Sequence, residues 1–166
     1  MFAYDCSMKK KTISIILWVL VLCWMGVIFF MSAQSGTASH KMSSDVLEKI
    51  HEISQDEAKR TDEVHTKNFI DYYQYNIRQT AHFSMFAVLG ILVTAASLYS
   101  FNKIKIRIIL PLSLTVLCSF ADELFQIYIP GRAFQWDDLG TDIVGSVLGC
   151  ALVYLTYTVV NRLKRK

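Results

Sequence analysis

The chain has 166 residues, 53% of them hydrophobic, and a formal net charge of +3. That length suits one unit spanning 1–166 rather than two ordinary domains. The apolar residues stand in long uninterrupted blocks, which excludes an ordinary water-soluble surface and points to bilayer spans. Four cysteines, Cys6, Cys23, Cys118 and Cys150, show no CxxC or Cys/His metal spacing and predict neither a disulfide framework nor a metal site.

The first predicted span runs from about 12 to 31. As a helix it measures about 30 Å, the thickness of a bilayer core. Lys9, Lys10 and Lys11 precede it like the start of a secretory signal, but the apolar part is too long for one, so an uncleaved anchor is expected. Residues 32–79 form a polar, charged loop. Within it, Val46, Leu47, Ile50 and Ile53 fall on one side of a possible short amphipathic helix between Ser44 and Lys59. Asp62–Lys67 reads as connector. Phe69, Tyr72, Tyr73 and Tyr75 suit a membrane–water interface before the second span, about 80–100.

A basic turn, Asn102–Arg107, leads to the third span. Ile108–Ala121 alone is too short to cross, at roughly 21 Å. Continued to Ile129, before the Pro130-Gly131 stop, it is long enough, and Asp122 and Glu123 then lie at membrane depth. The fourth span is expected at about 143–161. Together these predict an all-α membrane bundle of four transmembrane helices.

Charge sets the expected orientation. Lys9–Lys11, Lys103–Arg107 and Arg162–Lys166 must share one side, and basic segments mark the cytoplasmic side. Both termini are therefore expected inside, with the 32–79 loop and the acidic groups facing out. The carboxyl-terminal basic run reads as a lipid-facing anchor rather than a nucleic-acid site.

Charged groups within a span are costly, so Asp122 and Glu123 are the most informative residues. Asp122 shares a helix face with Gln126, and Glu123 reaches Gln126 at i+3. The bland alternative is a pair snorkelling at the interface. Arg78, His82, Phe86 and Gly90 form a stripe on the second span. His82 could pair with a carboxylate, move protons or bind a ligand, or serve only as a structural hydrogen-bonding group. Asp138, Asp142, Gly145 and Gly149 form a stripe on the fourth. The two carboxylates at i,i+4 repel unless a cation such as Arg78 or Arg132 lies between them or one of them takes up a proton. Asp137 is off that stripe and reads as solvated. Gly90, Gly145 and Gly149 are candidate helix-packing positions. The candidate ligand site is Arg78, His82, Asp122, Glu123, Gln126, Arg132, Asp138 and Asp142.

Asp122-Glu123-Leu124-Phe125-Gln126, with Pro130-Gly131-Arg132, Asp138, Asp142, Gly145 and Gly149, resembles the VanZ-like family of bacterial membrane proteins. Phe30-Met31-Ser32-Ala33-Gln34-Ser35 is similar to that family's exit from its first span. Arg78 to Gly90, with His82-Phe83, is similar to its approach to the second. Arg78 stands where Lys is usual, Phe86 where Tyr is usual, and Asp142 where Asn is frequent. The Ser44–Lys67 insert is outside the motif. The resemblance implies a bacterial cell-membrane protein with an envelope role, as in the family's association with resistance to teicoplanin-type glycopeptides.

Three functions are compatible with these residues. The first is a non-enzymatic protein whose outer pocket binds membrane lipid, a lipid-linked wall intermediate or a lipoglycopeptide, without a cofactor. The second is an intramembrane enzyme acting on a lipid-linked phosphate, with His82 and Glu123 as acid–base groups. The third is a small ion-coupled transporter using Asp122 or Glu123.

Overall fold

A computed structural model describes residues 2–34 and 63–164, with side chains for residues 8, 10–34 and 75–164. The expected amphipathic helix falls outside this set, as do the side chains of Phe69, Tyr72 and Tyr73. Four helices make up the described fold: α1 Phe2–Ser32, α2 Glu63–Ser100, α3 Ile104–Gln126 and α4 Trp136–Leu163. Each contains a segment long and apolar enough to cross a membrane: Lys10–Ser32, Tyr75–Ser100, Ile104–Gln126 and Trp136–Leu163.

Several boundaries differ from the sequence expectation. Glu63–Lys67 is helical rather than connector, because α2 begins at Glu63. Helix α3 ends at Gln126 instead of Ile129. There the chain tightens into three-residue turns: Tyr128 N–H donates to the Phe125 carbonyl at 3.1 Å, and Ile129 N–H to that of Gln126 at 3.0 Å. Such turns serve helix-end carbonyls ahead of Pro130, which has no N–H to continue the ladder. Gly131 completes the reversal at φ 77°, a left-handed conformation that favours glycine. Helix α4 starts at Trp136, well before 143, with Asp137 and Asp138 in its first turn. Carboxylates are favourable there because they face the positive end of the helix dipole.

The distribution of polarity is inverted relative to a soluble bundle. Buried positions on α3 are Pro111, Thr115, Cys118, Ser119, Asp122, Glu123 and Gln126, spaced three and four apart along one face. Leu117, Phe120 and Leu124 on its other side are exposed. On α4 the buried set includes Asp138, Asp142, Gly145, Ser146 and Gly149, while Val144, Leu148, Leu152 and Leu155 are exposed. In water that surface would be unfavourable; in lipid it is the compatible solvent face.

Helix α2 packs against α1, α3 and α4 and is the centre of the bundle. Phe86, Leu89, Val93 and Ala96 on α2 join Val21 and Ile28 of α1 and Cys118 of α3 in the apolar core. Antiparallel α1 is fastened along α2 by indole donors. Trp24 Nε1 donates to the Met85 carbonyl at 2.9 Å, and Trp18 Nε1 to Ser100 Oγ at 2.9 Å.

The α2–α4 seam has a constant offset. Arg78 meets Asp138, His82 meets Asp142, and Cys150 Sγ lies 3.6 Å from the Gly90 carbonyl, each pair 60 residues apart. A fixed offset means that the two helices run in the same direction. That is also what four alternating crossings require.

Candidate functional site: a buried polar cluster at one end of the bundle

Helix register delivers the site. Arg78 and His82 lie one helical turn apart on α2, and Asp138 and Asp142 are spaced identically on α4. The parallel seam therefore pairs them two by two. Arg78 Nη2 and Gln79 Nε2 donate to different oxygens of Asp138, and Thr141 Oγ1 donates to the Gln79 side-chain carbonyl. One turn deeper, His82 Nδ1 donates to Asp142 Oδ1 at 3.1 Å. The like charges of Asp138 and Asp142 are thus separated by having different partners. The partner of Asp142 is His82 rather than Arg132.

Helix α3 supplies the other half. Gln126 Nε2 donates to Asp122 Oδ2 at 3.2 Å and to Glu123 Oε1 at 3.1 Å. One amide thus ties together neighbours that point in different directions on the helix. Ser32 Oγ at the end of α1 donates to Asp122 Oδ2 at 2.8 Å. The Gln135 backbone N–H donates to Glu123 Oε2 at 2.9 Å and draws the α3–α4 loop over the cluster. Arg132, outside the spans, donates through Nη1 to Gln126 Oε1 at 3.2 Å. Burial and the nearby Arg78 guanidinium push its pKa below the ordinary arginine value, against the pull of Asp122, Asp138 and Glu123.

All eight candidate residues come to one end of the bundle. Asp122, Glu123, Gln126, Asp138 and Asp142 have no exposed surface, and His82 is 4% exposed. A snorkelling pair would be exposed, so that reading is excluded for Asp122 and Glu123. Asp137, by contrast, is exposed.

Ser32, Gln79, Gln135 and Thr141 also belong to the network and were not among the candidates. Ser32 carried a signal, because it sits in the motif at the exit of the first span. The other three are ordinary polar residues whose role depends on which helix lies opposite.

Below the charged turns the seam is built from glycine. A Cβ on Gly145 would collide with the Phe83 carbonyl, and one on Gly149 with that of Ala87. A Cβ on Gly90 would lie 2.5 Å from the Ser146 carbonyl. Backbone cannot move aside like a side-chain tip, so these three positions set the α2–α4 distance.

Two further features lie at this end. A surface cavity of about 560 Å³ is lined by Tyr75, Phe83 and Trp136 together with Gln79, Asp137 and Thr141. His82, Asp122, Glu123 and Asp142 each offer a donor atom within 4.8 Å of the others.

Four apolar helices around an inward-facing polar cluster define a multi-pass integral membrane protein. The VanZ/LLP1 family profile matches residues 17–157, and the chain belongs to that family. No curated protein and no solved structure matches it.

Proposed function

We propose that this protein binds the head group of an amphiphile at the polar end of the bundle, on the outer face of a bacterial cell membrane, without catalysing a reaction. The supporting observation is the cavity beside the cluster. Its aromatic wall of Tyr75, Phe83 and Trp136 suits an acyl chain or ring system at the interface. Its polar wall suits a head group, and Gln79 and Thr141 connect that wall to the Arg78–Asp138 pair. Basic segments at the opposite end support an outward orientation of this site.

On this reading the ligand is a lipid, a lipid-linked wall intermediate or a lipoglycopeptide of the teicoplanin type. The test is susceptibility to an acylated glycopeptide in cells expressing wild type, Trp136→Ala or Arg132→Gln at matched membrane levels. Wild type is expected to lower susceptibility and both variants to lose that effect. Equal protection by all three would remove the cavity from consideration. Mass spectrometry of lipids co-purifying with wild type and Glu123→Gln would then name the ligand class.

A second reading has one observation of its own. His82 and Glu123 are buried donors within 4.8 Å of one another, close enough for acid–base work on a lipid phosphate. Turnover by the purified protein, lost in His82→Ala, would favour it over simple binding.

A further inference from the structure

We infer that His82, Asp122, Glu123 and Asp142 form a binding site for one divalent metal ion of the zinc or manganese type. This inference stands apart from amphiphile binding, because none of these four residues lines the surface cavity.

The donors come from three helices: His82 from α2, Asp122 and Glu123 from α3, and Asp142 from α4. Acidic clusters on protein surfaces are common and mean little. Here all four members are buried. Four ligands arranged tetrahedrally at about 2.0–2.2 Å from a metal stand roughly 3.3–3.6 Å apart. The observed spread of up to 4.8 Å would close by about 1 Å on loading, a shift within reach of side-chain rotation.

Hydrogen bonding gives an independent indication. Asp122 Oδ1 and Asp142 Oδ2 are buried oxygens without any hydrogen-bond partner. They belong to two of the four ligands, and the opposite oxygen of each carboxylate is occupied. Asp122 Oδ2 accepts from Ser32 and Gln126, and Asp142 Oδ1 accepts from His82. A buried acceptor left alone is costly. A proton placed on either oxygen would itself need an acceptor, whereas a metal ion needs only the lone pair.

Charge leads to the same assignment. Arg78 is committed to Asp138, and the only hydrogen bond from Arg132 among the described residues goes to the neutral Gln126 amide. Among the described residues, Asp122, Glu123 and Asp142 therefore accept no hydrogen bond from an arginine, and Arg132 acts on Asp122 and Glu123 only at longer range, in a span where uncompensated charge is expensive. A divalent cation compensates them. One imidazole with three carboxylates is a mixed nitrogen–oxygen set, which suits zinc, manganese or ferrous iron better than calcium or copper(I). Ser32, Gln126 and Gln135 would orient the carboxylates from outside, the usual support for metal ligands.

The test uses the full chain in detergent, stripped with chelator and then titrated with Zn²⁺ or Mn²⁺ alone. Metal analysis after desalting is expected to find about one ion per chain. Asp122→Asn and Asp142→Asn should each bind more than about 10-fold more weakly, and Ser32→Ala about 10-fold more weakly. Asp137→Asn, an exposed neighbour, should bind like wild type. No metal retained by wild type would overturn the inference, as would retention unchanged in Asp122→Asn and Asp142→Asn. Should those two variants not fold, X-ray absorption of the zinc-loaded wild type decides the matter. Imidazole scattering within a nitrogen–oxygen shell supports the site. A shell without imidazole, or one containing sulfur, refutes it.

Discussion

The two halves of the α2–α4 seam follow the same 60-residue offset with opposite chemistry. In one half the helices meet through charged side chains, Arg78 with Asp138 and His82 with Asp142. In the other they meet backbone to backbone at Gly90, Gly145 and Gly149. The glycine half accounts for its own existence, since close approach in lipid increases dispersion contact without burying any charge. The charged half does not. Ion pairs at membrane depth contribute little net stability after desolvation, and well-packed apolar residues would hold the seam as well. Holding the helices together does not by itself explain them.

Filling the glycine half should have the largest effect. Gly149→Leu drives a side chain into the Ala87 backbone and is expected to cost more than about 3 kcal/mol, the upper end for overpacking. Gly26→Leu is the control, because nothing lies within 4 Å of a Cβ there. Reversible unfolding in mixed micelles should show loss of folded protein for the first and little change for the second. Equal losses would mean that the seam is not what assembles the bundle.

In the charged half, Asp138→Ala leaves Arg78 facing a buried void. Arg78 is 26% exposed and can partly regain water, so the expected cost is about 2–3 kcal/mol, below the fully buried range. The double change Arg78→Met with Asp138→Leu is more telling. Stability should return to within about 1 kcal/mol of wild type, while protection against an acylated glycopeptide stays lost. A double variant as unstable as Asp138→Ala would assign the pair a structural role.

Smaller effects sharpen the contrast. Ser32→Ala removes one hydrogen bond to Asp122 and should cost about 0.6 kcal/mol, typical within membranes. Asp137→Asn, at an exposed position, should stay within about 0.5 kcal/mol of wild type. The same unfolding assay checks both, and a cost for Asp137→Asn above that of Ser32→Ala would reverse the assignment of buried and solvated acids.

Much of this was readable in the residues. Apolar blocks marked all four spans, and the short uncharged stretch before Asp122 placed those carboxylates within the third, where they fall in the candidate span Ile104–Gln126. The i,i+4 stripes of Arg78–His82 and Asp138–Asp142 were visible as stripes, and Gln126 was placed beside both Asp122 and Glu123. Helix ends were less legible. The start of α4 at Trp136 is hidden because polar Asp137 looks like the end of the preceding loop, although a carboxylate is favourable in a first turn. Gln79 and Thr141 have nothing in their local sequence to distinguish them from surface residues.

Within-helix spacing and the cost of exposing backbone or charge to lipid are local, so the amino-acid order by itself determined four crossing helices and which residues share a face. Which faces meet is set between elements distant in the chain. Only tertiary packing decided that Arg78 takes Asp138, that His82 rather than an arginine takes Asp142, and that Ser32 closes on Asp122. The same packing gathered one histidine and three carboxylates from three helices. No local spacing can announce such a donor set, because its geometry arises from the α2–α4 register and the placement of α3 against it.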